Sequence, residues 1–325
     1  MKLPRRKFLH LALGAAALPA VSSITRAQAY PSRPARIVVP FAPGGSTDII
    51  ARLIGQWLSE RLGQQFVIEN RPGAGSNVGT EVVVNAPPDG YTLLLVGASS
   101  AINATLYDKL NFNFLRDITP VAGIMSIPFV MAVNPSLPAK TTSEFIAYAR
   151  ANPGKVNMAS GGTGTAGHMS GELFKMMAGV NMVHVPYRGE ALALTDMLGG
   201  HAQAMFGTMP ASIEHVRAGK LRPLAVTSAR RSELLPDLPT VGDFVPGYET
   251  SELQGVGVPR NTPAEIINKL NEEINAGLAD PKIKTRVAAM GGTVLAGSPA
   301  DFGKLIADET EKWGKVVKFS GAKPD

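Results

Sequence analysis

Short apolar runs alternate along this chain with longer stretches whose apolar residues recur every three or four positions. The short runs predict buried strands and the longer ones amphipathic helices. Strands are expected at residues 37–41, 66–69, 91–96, 129–133, 156–159, 182–185, 203–206, 221–227 and 251–258. Between them, Ile50, Leu53, Ile54, Trp57, Leu58 and Leu62 fall on one helical face that Gly63 is placed to end. Further helices are expected at 78–85, 143–151, 192–198, 211–218 and 280–290, after the second glycine loop, and from Ser298-Pro299 to Lys318. Thr262-Pro263-Ala264-Glu265 reads as a capping box. The segment 234–248 shows no clear periodicity. Strands alternating with helices predict an α/β protein with largely parallel sheets.

One device occurs twice. After the first strand, Phe41 leads into Pro43-Gly44-Gly45, and Ser46, Thr47 and Asp48 follow as cap or first-turn residues. More than a hundred residues later, Ser160-Gly161-Gly162-Thr163-Gly164-Thr165-Ala166-Gly167-His168 again joins a strand to a helix. Glycines let backbone approach a ligand closely, and a helix start leaves unpaired N–H groups. Such a corner suits an anion, most simply a carboxylate. A tight strand–helix turn with no ligand has the same sequence. Two copies so far apart point to two lobes, each bringing one corner to a shared cleft.

The first 29 residues change the electrostatic picture. A basic start (Lys2, Arg5, Arg6, Lys7), an apolar stretch and Ala27-Gln28-Ala29 form an export signal with cleavage expected after Ala29. The apolar stretch is too short to span a bilayer. Arg5-Arg6-Lys7-Phe8-Leu9 resembles a twin-arginine signal with Pro4 where Ser or Thr is usual; an ordinary Sec signal accommodates the same arginines. Removing its five cations takes the formal charge from +6 to +1, which leaves no basic patch for nucleic acid. Cysteine is absent, so disulfides, thiolate metal sites and lipid acylation are excluded.

Other chemistries fit poorly. Gly162-x-Gly164-x-x-Gly167 matches a dinucleotide fingerprint, but the next strand ends in Pro186-Tyr187-Arg188 with no acidic residue for ribose. No Gly-Lys pair is followed by Ser or Thr. His168, His184, His201 and His215 lack metal-ligand spacing, and Ser99 and Ser100 lack a nucleophile elbow. His184, inside an apolar strand, reads as structural; His168, in the first turn of the second loop's helix, either donates to an anion or packs. Neither a cofactor nor an enzymatic activity is expected.

Seven segments carry a family resemblance: Tyr30-Pro31-Ser32-Arg33-Pro34, VPFAPGGSTD from Val39, ENRPGAGSN from Glu69, PDGYTLLL from Pro88, NPGKVNMAS from Asn152, HVPYRG from His184 and GKLRPLAVTS from Gly219. In this order they resemble the extracytoplasmic solute receptors of tripartite tricarboxylate transporters, the Bug proteins. The resemblance implies a two-lobed periplasmic binding fold of the second topological type. Lobe 1 would comprise residues 30–129 and 252–325, and lobe 2 residues 130–251, hinged near 130–133 and 252–258. It implies a monomer that grips a ligand carboxylate through backbone groups of two loops and hands it to transporter membrane subunits. A ligand-presenting sensor is the alternative, and an exported enzyme using the cleft a further one.

The implied ligand-binding residues are Phe41, Gly44, Gly45, Ser46, Thr47, Asp48, Gly162, Thr163, Gly164, Thr165 and His168, with Asp48 ordering its loop. Ser99 and Ser100 match a third wall. Gly207 stands where many members have Asp, and Leu253 where many have Trp. Those departures suggest a non-amino carboxylic acid, dicarboxylic or aromatic.

Overall fold

The computed structural model describes residues 30–324; the expected export signal lies outside them. In chain order the first elements are β1 (Ala35–Val39), α1 (Ser46–Leu62), β2 (Phe66–Asn70), α2 (Asn77–Val84), β3 (Thr92–Gly97), α3 (Ala98–Leu106) and α4 (Phe114–Asp117). Then come β4 (Ile118–Val133), α5 (Thr142–Ala151), β5 (Asn157–Ser160), α6 (Ala166–Ala178), β6 (Val183–Pro186), α7 (Glu190–Gly199), β7 (Ala204–Thr208) and α8 (Met209–Arg217). The chain closes with β8 (Arg222–Val226), β9 (Ser251–Pro259), α9 (Ala264–Ala279), α10 (Pro281–Ala289), β10 (Thr293–Val294) and α11 (Pro299–Ser320).

The strands run in the order β2-β1-β3-β9-β4-β7-β5-β6. One half, β2-β1-β3 with β9 and the first part of β4, has parallel β1–β2 and β1–β3 pairs and antiparallel pairs at β9. The other half has β6, β5 and β7 in parallel, with β7 and β8 antiparallel to the end of β4. Helices cover both halves, giving the two-lobed α/β fold of periplasmic binding proteins. The apolar runs are buried as their composition demands: every residue of β3 is buried, and Ile37, Val38 and Val39 of β1 have no exposed surface.

β4 joins the halves. Residues 118–128 pair with β9, and 129–133 pair with β7 and β8, so the strand changes sheet between Pro128 and Phe129. Thr227 ties this crossing to the return. Its fully buried hydroxyl accepts the Phe129 N–H at 2.8 Å and donates to the Thr250 carbonyl at 2.8 Å. β3 and β7 both end beside this crossing, at Gly97 and Thr208, and β9 starts there. The helices that follow those strands, α3 and α8, therefore start beside the crossing.

Two elements go beyond the sequence expectations and one local expectation is corrected. Residues 98–106 form a helix, and 118–128 form the long first part of β4, ahead of the strand expected at 129–133. The box expected at Thr262–Glu265 is not made: Pro263 is the N-cap, and the Thr262 hydroxyl donates to the Pro259 carbonyl at 2.8 Å.

Candidate binding cleft

The start of α1 is open. Gly45 is its N-cap, with ordinary extended angles and no side chain to cap the first turn. The first intrahelical bond runs from the Ile49 N–H to the Gly45 carbonyl at 3.0 Å, so the amides of Ser46, Thr47 and Asp48 precede the helical ladder. Gly44 turns the chain at φ +94°, which favours glycine. Its N–H donates to Asp48 Oδ2 at 3.0 Å, and Asn70 Nδ2 and the Arg52 guanidinium complete that carboxylate's partners. Burial pushes the Asp48 carboxyl up, but the bonds from Arg52, Gly44 and Asn70 outweigh it and hold it below the usual range. Asp48, 4 % exposed, is thus spent on shaping the turn. The hydroxyls of Ser46 and Thr47 accept from the Gln254 amide at 3.3 and 3.1 Å.

The second loop is braced from beneath. Thr165 caps α6, accepting the His168 N–H at 3.4 Å, and its hydroxyl donates to the Gly162 carbonyl at 2.8 Å. The Gly162 N–H donates to Ser160 Oγ at 3.2 Å, and Gly164, at φ +78°, donates its N–H to His168 Nδ1 at 3.1 Å. An Nδ1 that accepts leaves the neutral ring's proton on Nε2, which faces Glu172 Oε1 at 3.7 Å. His168 is 1 % exposed and stacks on His184 with ring centroids 3.5 Å apart. Of the two roles open to it, the structure gives it packing and bracing of the loop. His184 meets Ser160 Oγ at 2.7 Å; burial drives its pKa down to about 3. The N–H groups of Gly161 and Thr163 have no partner among the described residues, and those of Ala166 and Gly167 precede the first α6 bond, from Met169 to Thr165.

The third wall, α3, starts at Gly97 without a capping side chain of its own. Ser99 and Ser100 are each 3 % exposed, and Ser100 Oγ has no partner. The Ala98 N–H donates to Glu252 Oε1 at 3.3 Å. The partly exposed Phe41 ring lies beside the same spot: its Cε2 and Glu252 Oε1 are 3.8 and 3.2 Å from where a Cβ on Gly97 would sit.

Gly207 also has an unexpected neighbour. Glu190 Oε1 is 3.4 Å from where a Cβ at Gly207 would sit, and its carboxylate accepts the Thr208 N–H and hydroxyl at 2.5 and 2.8 Å. A wall without Asp at 207 is therefore not a wall without an acid. The sequence reading missed Glu190, Glu252 and Gln254. Only the period-two placement of 252 and 254 on one face of an expected strand pointed to the latter two.

Among the described residues no group of His, Asp or Glu is arranged to hold a metal, and no helix is long and apolar enough to cross a membrane.

The model of the tripartite tricarboxylate transporter family receptor matches residues 50–321. Protein BugT of Bordetella pertussis is 37% identical over 306 residues, 93% of this chain and 94% of that protein. A protein encoded in the tcbD-tcbE intergenic region of a Pseudomonas strain is 36% identical, covering 94% of this chain and 92% of its own length. Among solved structures, R. palustris Rpa4515 with adipate superposes with a TM-score of 0.84 at 39% identity, over 91% of this chain and 100% of that one. MatC from Rhodopseudomonas palustris with bound malate gives 0.80 at 30% identity, over 89% of this chain and all of the other.

Proposed function

This chain belongs to the tripartite tricarboxylate transporter receptor family, whose members are periplasmic solute-binding proteins and not enzymes, and we propose that it captures a small carboxylic acid between its lobes through the two glycine-loop corners. The observation that carries the proposal is the open start of α1, where the amides of Ser46, Thr47 and Asp48 have neither an intrahelical acceptor nor a capping side chain. A carboxylate supplies the missing acceptors and the negative charge that the helix start favours. From lobe 2, the amides of Gly161, Thr163, Ala166 and Gly167 offer a second set. Gly44, Gly162, Gly164, Asp48, Thr165 and His168 shape these corners through the bonds already described, and Phe41, Ser99, Ser100 and Gly207 line the walls.

A ligand that touches both lobes stabilises the closed arrangement, with the hinge at the paired crossings near residues 130–133 and 252–258. Each N–H···carboxylate bond, shielded from water, contributes about 1.5–3 kcal/mol. The relatives solved with adipate and malate favour a carboxylic acid. Glu190 and Glu252 are turned onto the starts of α8 and α3, a poor arrangement for holding an ammonium, so a dicarboxylic or aromatic acid fits better than an amino acid. The protein would be exported, cleaved after Ala29, act as a monomer without a cofactor, and deliver its ligand to transporter membrane subunits.

A thermal-shift screen of mono-, di- and tricarboxylates and aromatic acids, followed by a liganded crystal, tests this. The expected result is a carboxylate within hydrogen-bond reach of the Ser46–Asp48 amides. A bound acid that leaves both corners untouched overturns it.

A further inference from the structure

We propose that α3 carries the abutment on which the second glycine loop closes: Leu106 and Asn103 meet Gly164 when the lobes shut and part from it when they open, so these two residues set how firmly a captured acid is held. The inference rests on the carboxylate-binding reading and deepens it.

α3 follows β3, on the half of the sheet that holds β2, β1 and β3; the second glycine loop follows β5, on the other half. The two nevertheless touch. A Cβ on Gly164 would sit 2.5 Å from Leu106 Cδ2 and 3.4 Å from Asn103 Oδ1. Gly164 therefore answers two demands, its own turn at φ +78° and a side chain from the opposite half lying against it. Leu106 is 4 % exposed, and the loop around Gly164 supplies part of that cover. It ends α3, about 12 Å along the helix from the start at Ala98 beside the crossing. Rotation of one half against the other displaces a contact more the farther it lies from the pivot. This contact accordingly breaks as the cleft opens.

Asn103 makes the abutment rigid. Its Nδ2 donates to the Gly75 carbonyl at 2.6 Å and to Asn77 Oδ1 at 3.1 Å. Gly73, Ala74, Gly75 and Ser76 run at φ +136°, +45°, +61° and +93°, a sequence of angles that persists only where the surroundings hold it. With Nδ2 fixed on that turn, Oδ1 stays near Gly164, buried and without a donor among the described residues. The Gly164 N–H is already given to His168. Closure thus gains the apolar contact of Leu106 and loses the hydration of Asn103 Oδ1, two effects of opposite sign. An empty cleft is left close to balance, a bound acid tips it shut, and the Leu106 contact adds directly to affinity.

The test is calorimetric titration of wild type, Leu106→Ala, Gly164→Ala and the double variant with adipate, malate, hexanoate and benzoate. Leu106→Ala is expected to weaken every acid that binds about 10- to 100-fold, the worth of one leucine's apolar cover. Gly164→Ala is expected to weaken them too, because its methyl meets Leu106 in a conformation that alanine resists. In the double variant that methyl fits the space the leucine vacates. Its binding is therefore expected to be about tenfold tighter than the product of the two single losses. Leu106→Ala binding as the wild type does, or losses that simply multiply in the double variant, overturns the proposal while leaving carboxylate capture intact. If either Leu106 variant does not fold, hydrogen exchange of the wild type decides: residues 103–107 are expected to exchange more slowly with a saturating acid, and unchanged exchange there overturns the proposal. Wild type binding none of the four acids overturns the carboxylate reading itself, and this inference with it.

Discussion

Placing an acceptor on Gly45 separates stability from binding. Gly45 has φ −79° and ψ 170°, angles any residue adopts, and a Cβ added there meets nothing within 4 Å. In Gly45→Asp the new carboxylate reaches back to the first-turn amides, as N-cap aspartates do. The cap adds a few tenths of a kcal/mol over glycine, and the negative charge at the helix start adds about 0.3–1 kcal/mol. Asp48 opposes this weakly because Arg52 already pairs with it. The ligand-free protein is therefore expected to melt about 1–4 °C higher. A ligand carboxylate loses the amides that the new side chain occupies. Two charge-assisted bonds at about 1.5–3 kcal/mol each amount to roughly 3–6 kcal/mol, or about 10²- to 10⁴-fold in Kd. Differential scanning fluorimetry without ligand and calorimetry with adipate or another binder read the two effects separately. Gly45→Ala offers no acceptor and is expected to keep binding within a few-fold. If Gly45→Asp bound the acid as tightly as Gly45→Ala does, the α1 amides would not be the receptor for the carboxylate.

Two further predictions concern the scaffold. Thr227→Val strands the Phe129 N–H and the Thr250 carbonyl where β4 changes sheet; urea denaturation is expected to show a loss of roughly 2–4 kcal/mol, largely restored in Thr227→Ser. His184, with its pKa near 3 in the fold against about 6.5 in the unfolded chain, stays neutral while the unfolded chain takes up a proton. Stability is therefore expected to fall as the pH drops from 6.5 toward 3, and His184→Phe should flatten that slope in melts at pH 5 and 7. An unchanged slope would remove His184 as its source.

What the sequence reveals here is whatever a contiguous segment decides for itself. The helix from Ser46 to Leu62, its end at Gly63 with φ +69°, and the glycine turns that precede α1 and α6 all follow from neighbours a few residues apart. α3 escaped because Ala98–Leu106 is built from small and polar residues, with no capping side chain to announce its start. The first part of β4 escaped because Pro120, Gly123 and Pro128 interrupt its pattern; the strand is held instead by β9, through two register shifts. At Thr262 the local cap signal lost to the carbonyl of Pro259.

The same division runs through the cleft. Each glycine corner is a local object, whereas the wall between the corners is made of residues distant in sequence. Glu252 reaches Ala98 across 154 positions, and Gln254 reaches Thr47 across 207. Glu190 stands beside Gly207 only because α7 and β7 pack side by side. An acid missing at one position of the strand is therefore replaced, within a few ångströms, by one from a different helix. In the proposed cleft, ligand selectivity is therefore to be read from the fold's contacts and not from a single strand position, since the charge at a wall does not belong to any one segment.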